Sequence, residues 1–163
     1  MRSAETRLRR SDDQLLRLLS FGVFLLILGI IVLATPNLSD QISAFVQDLK
    51  LEQIQSGVNA SLPAPQGPHP QLYGAAALFG LAFGVYLVLL LIAKFVLGAD
   101  FNQKAETLTG VIFWLGIGLA MLALARETIA WLLFVAIAVV LIAIIILVRS
   151  AAFLISKKRP GSH

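Results

Sequence analysis

The sequence predicts an all-α integral membrane protein: four transmembrane helices in a bundle, with a short amphipathic helix in the first outer loop. Three observations predict it. Residues 131–148, WLLFVAIAVVLIAIIILV, carry no charge, amide or hydroxyl, so a helix there is apolar on every side and suits lipid as its solvent. Three earlier stretches share this character. Hydrophobic residues make up 58% of the 163 and charged residues 13%, with mean hydropathy +0.88, whereas soluble domains average about 25% charged residues. This length suits one membrane domain, 1–163, with no room for a separate globular one.

Residues 1–13, MRSAETRLRRSDD, form an Arg-rich polar leader, diluted by Glu5, Asp12 and Asp13. That pattern fits a positive-inside flank better than a nucleic-acid or anionic-lipid patch. Ser11 and Gln14 have capping-box spacing, which predicts a helix start at the first span, about 15–34. Val32 and Ala34 resemble a weak signal-peptide cleavage site, but the long apolar run and Pro36 favour a retained span.

Residues 35–72 form the one sizeable segment outside the spans. Leu38, Ile42, Phe45, Val46 and Leu49 fall within an arc of about 100° on a helical wheel. That stripe predicts an amphipathic helix over about 37–50. Two Asp and one Lys suit packing on protein, or an uncharged outer interface, better than anionic lipid. The stripe is the candidate surface for a partner or the membrane, with a cover for the bundle as the plainer role. Asn59-Ala60-Ser61 is a glycosylation sequon, meaningful only in an extracytoplasmic loop. Pro63, Pro65, Pro68 and Pro70 then predict an extended connector over 62–70. His69 has no acidic cluster near it in sequence and reads as a lone exposed histidine.

The second span, about 73–97, holds Ala76, Gly80 and Gly84 at four-residue spacing. Such a ridge lets helices approach closely where lipid provides no hydrophobic drive, within the chain or between copies. Lys94 lies close enough to the span end to snorkel to headgroups. Gly98 is placed to end this helix. The third span, about 107–125, brings Gly116 and Ala120 as further packing candidates. The fourth covers about 129–155. One helix over 107–155 would reach about 74 Å, more than twice the ~30 Å hydrocarbon thickness. A tight hairpin is therefore required at Arg126–Thr128, although no Gly or Pro marks it.

Four spans place both termini on one side. Eleven of the thirteen Lys and Arg then fall on the terminal face, with Lys50 and Arg126 opposite. The positive-inside rule makes both termini cytoplasmic in a cell membrane and 35–72 extracytoplasmic. Tyr73 and Trp131 come at the outer boundary, where amphipathic rings prefer to sit.

Between their ends the spans lack Asp, Glu, Lys, Arg and His, the residues transporters and pumps place at depth. No catalytic set, metal-ligand spacing or cofactor motif emerges, and there is no cysteine. The expectation is a non-catalytic accessory or scaffold subunit without cofactor, metal or nucleic acid. Its partners are the bilayer and other membrane subunits or itself. The alternative is a small transporter or pore formed by a homo-oligomer, with the Gly80/Gly84 ridge as assembly surface. A lipid-modifying enzyme is a third class, for which the catalytic groups are lacking.

Overall fold

The computed structural model describes the backbone of residues 2–53, 61–99 and 101–157, and side chains over 18–51, 62–99 and 103–151. It is mostly helical: α1 (Arg2–Ala34), α2 (Leu38–Asp48), α3 (Pro70–Val96), α4 (Phe101–Ala125) and α5 (Trp131–Lys157), with a β-ribbon of β1 (Leu49–Gln53) and β2 (Ser61–Pro65). Internal contacts divide it into two units, Met1–Pro36 and Asn37–His163. Each is taken by itself.

The first unit is α1. Its backbone is helical from Arg2, so Ser11 lies inside the helix and not at its start. The sequence expectation of a cap there fails because the Arg-rich leader continues the helix; Arg, Leu, Glu and Gln are all good helix formers. The apolar part, Leu18–Ala34, ends where Pro36 removes a backbone donor.

In the second unit, three helices are long and apolar enough to cross a membrane: Pro70–Val96, Gln103–Ala125 and Trp131–Ala151. The count becomes four if Leu18–Ala34 and Leu38–Asp48, broken at 35–37, are taken together as one span. At 1.5 Å per residue, the two shorter spans still reach about 30 Å.

Helix α4 packs on α3 along most of its length and on α5 less extensively. The α3–α4 contact is close because it is built on backbone. A Cβ on Gly80 would come within 3.0 Å of Gly118 Cα, and one on Gly118 within 2.9 Å of the Leu81 nitrogen. Only 6% of the α5 span is buried, against 28% of α3 and of α4. Its outward Val, Ile and Leu side chains need an apolar surrounding.

Both described helix turns in this unit use one device, the Schellman motif. Ala99 N–H donates to the Lys94 carbonyl and Gly98 N–H to Phe95, with Gly98 left-handed (φ 67°). Thr128 N–H donates to Ala123 and Glu127 N–H to Leu124, with Glu127 left-handed (φ 55°). The second turn is the hairpin that length requires, made by a glutamate where glycine is usual.

The ribbon was not anticipated. Residues 61–65 are extended, as a proline-rich run favours, but they pair antiparallel with 49–53, setting Leu49 opposite Pro65 and Leu51 opposite Pro63. Two prolines fit one strand because they stand two apart, on the edge that faces away from the partner; Leu62 and Ala64 then supply the pairing amides.

Candidate functional site

One cluster of polar and aromatic groups of the second unit gathers at the end where α2, the ribbon, the start of α3 and the α4–α5 turn meet. Asp48 closes α2, the negative end of that helix, where a carboxylate is unfavourable unless other donors hold it. Two do. Gly67 N–H donates to Asp48 Oδ2 at 2.6 Å, and His69 Nε2 lies 3.1 Å from the same oxygen. A carboxylate only accepts, so Nε2 carries the hydrogen of that bond. The Gly67 amide foremost, then His69, holds the Asp48 carboxyl below the usual carboxylate range.

His69 is thus not the lone exposed histidine its sequence surroundings suggested; its side chain is 16% exposed. Its ring meets Phe45 edge-on at 5.3 Å and Tyr73 at 6.1 Å. Tyr73 stacks with Trp131 at 6.3 Å, their planes 30° apart, and Trp131 Nε1–H donates to the Pro63 carbonyl at 2.9 Å. That bond fastens the start of α5 to the outward edge of β2. A core of Tyr73, Ala120, Leu124 and Phe134 lies under it, with Phe45 and Trp131 packed against it. A cavity of about 340 Å³ opens between residues 65–70 and the α4–α5 turn.

The amphipathic stripe divides. Phe45 turns in to the aromatic cluster, Leu38 and Leu49 are half-buried, and Ile42 and Val46 stay exposed at 47% and 60%. Gln41 Nε2 donates to Gln71 Oε1 at 2.7 Å, tying α2 to α3.

Four of the five small-residue candidates lie at helix contacts within the chain. Gly80 abuts Gly118, Gly84 abuts Leu115, and Gly116 abuts Leu141 of α5. Ala120 is in the core, and Ala76 is half-buried on α3. Deeper in α3 and α4, Trp114 meets Phe79 and Phe83 edge-on, and Tyr86 packs on Phe83. At the opposite end, Lys94 Nζ donates to Thr107 Oγ1 at 2.8 Å, and Lys104 lies over the Phe95 ring at 4.7 Å. Lys94 therefore bridges α3 to α4, where snorkelling was the sequence expectation.

Asn59 lies outside the described residues. Among the described residues, no three His, Asp or Glu side chains group to hold a metal. Sequence reasoning identified Tyr73 and Trp131 as boundary aromatics but missed the Asp48–His69 pair. The available signal was a carboxylate at a helix carboxyl end, where partners are needed. Compared with protein-family models, curated proteins and solved structures, the chain matches none.

Proposed function

We propose that this is a non-catalytic multi-pass membrane protein that serves as an accessory or scaffold subunit of a membrane complex. In this reading α1, α3, α4 and α5 each cross the bilayer, both termini are cytoplasmic, and 35–72 forms an extracytoplasmic module. The partition of Lys and Arg supports that orientation.

One observation carries the scaffold reading. Asp48, His69 and Trp131 are engaged in bonds that hold the outer module together, while apolar Ile42 and Val46 remain exposed on it. Asp48, His69 and Trp131 fix the loop and ribbon to the helix ends, which presents α2 as a rigid ledge. An ordered apolar ledge outside the spans suits recognition of another subunit.

The test is purification from native membranes in mild detergent, with mass spectrometry of what co-purifies. A stoichiometric membrane partner is expected, reduced by Ile42→Asp with Val46→Asp while the chain still inserts and folds. A chain recovered alone would overturn the proposal.

A further inference from the structure

We propose that the chain forms a two-fold dimer in which the free edge of β1 pairs antiparallel with β1 of a second copy. The two edges of the ribbon differ. On β2, Pro63 and Pro65 face outward without amide hydrogens, and the Pro63 carbonyl already accepts from Trp131. That edge has nothing to donate there. On the inner side of β1, the Asp48 carbonyl accepts from Gln66 N–H, and Lys50 and Glu52 stand opposite the pairing amides of Ala64 and Leu62. Inward and outward groups alternate along a strand, so the amide and carbonyl of Leu51 point outward. Among the described residues, no hydrogen bond reaches them. No described element other than β2 packs extensively on β1. An edge with donors and acceptors at strand spacing is matched by another extended backbone.

Register and charge select a second copy as the occupant. Outward groups must meet outward groups, so residues 49, 51 and 53 of one copy oppose the same set in the other. A two-fold axis centred on Lys50 sets lysine opposite lysine, and one centred on Glu52 sets glutamate opposite glutamate. Centred on Leu51, the axis sets Lys50 of each copy opposite Glu52 of the other. Within the ribbon these charges are unmatched, since Lys50 opposes Ala64 and Glu52 opposes Leu62. Lys50 is exposed and forms no ion pair among the described residues. A lysine ordinarily protects an edge from pairing; here it selects the one register that gives it an acid. Leu51, 75% exposed, then lies on the axis against its own copy and loses apolar surface to water. The contact is isologous, and the outer edge of β2 lacks the donors to extend it, so the assembly closes at two copies.

This assignment is independent of the scaffold reading, because the purified chain pairs with itself whether or not another subunit exists. The full chain in an uncharged maltoside detergent is expected to be dimeric by light scattering. The chain has no cysteine, so single substitutions report the register. Residue 51 faces itself at a Cα spacing of about 5.5 Å, within disulfide reach. Two copies of residue 53 stand more than about 13 Å apart, four residues of offset along the strand. On mild oxidation, Leu51→Cys should therefore form the linked dimer about tenfold or more faster than Gln53→Cys. Lys50→Glu should weaken the dimer about tenfold or more, and Lys50→Glu combined with Glu52→Lys should restore it. The exchange leaves the ribbon itself undisturbed, since neither position opposes a charge on β2. Leu51→Pro removes only an outward amide, as Pro63 and Pro65 do in β2, and should yield monomer. A monomeric unsubstituted chain, equal crosslinking at 51 and 53, or a charge exchange that fails to restore the dimer would overturn the proposal. So would a dimer that survives Leu51→Pro, since its contact would lie elsewhere on the chain.

Discussion

At the scale of single residues, the two helix turns form a natural experiment. Gly98 and Glu127 occupy the same left-handed position of the same motif, but only glycine adopts it without steric cost. Glu127 is also a carboxylate at a helix carboxyl end. Glu127→Gly should therefore raise stability by about 1 kcal/mol and Gly98→Ala lower it by a similar amount, read from denaturant unfolding in micelles. Asp48 supports a prediction with a pH sign. Its folded carboxyl titrates below the ordinary 3.8. Its contribution is therefore fully present above about 3.8 and is lost as pH falls through the lower folded value. Hydrogen exchange at the Gly67 amide, corrected for the intrinsic pH dependence, should show protection declining below that point. Asp48→Asn should show reduced protection already at neutral pH.

At the scale of elements, the α3–α4 contact depends on absent side chains. Gly80→Ala places a methyl 3.0 Å from a backbone atom that no rotamer change can move, and should cost about 1–3 kcal/mol. Gly74→Ala, on the same helix with open space around it, should instead gain up to about 1 kcal/mol through helix propensity. Equal effects at the two sites would mean that the helices do not pack through Gly80. Across the outer module, Trp131→Phe keeps a ring against Tyr73 but removes the bond to Pro63. A loss of about 0.5–1.5 kcal/mol is expected, with faster exchange of ribbon amides.

At the scale of the whole molecule, the proposed topology is open to a clean test because the chain has no cysteine. Gln66 and Ser150 are both exposed and lie at opposite ends of the proposed transmembrane path. With single substitutions, Gln66→Cys should react with a membrane-impermeant maleimide on intact cells. Ser150→Cys should react only after permeabilisation. Reversal of that pattern would invert the proposed orientation and place the aromatic cluster on the cytoplasmic face.

The membrane character, the positions of the apolar helices and the need for a turn at 126–128 could be read from the chain alone. Each follows from local hydropathy and from 1.5 Å of rise per residue set against a bilayer of about 30 Å. Gly98 as a helix end was legible for the same reason, since left-handed backbone is a property of one residue. Tertiary structure alone decided that Asp48 meets His69, that Trp131 reaches Pro63, and that Gly80 meets Gly118. These pairs are 21, 68 and 38 residues apart, and no periodicity records them. It also divided the amphipathic stripe, turning Phe45 inward while Ile42 and Val46 stay exposed. A helical wheel shows which residues share a face, but only the arrangement of neighbouring elements determines how much of that face is covered.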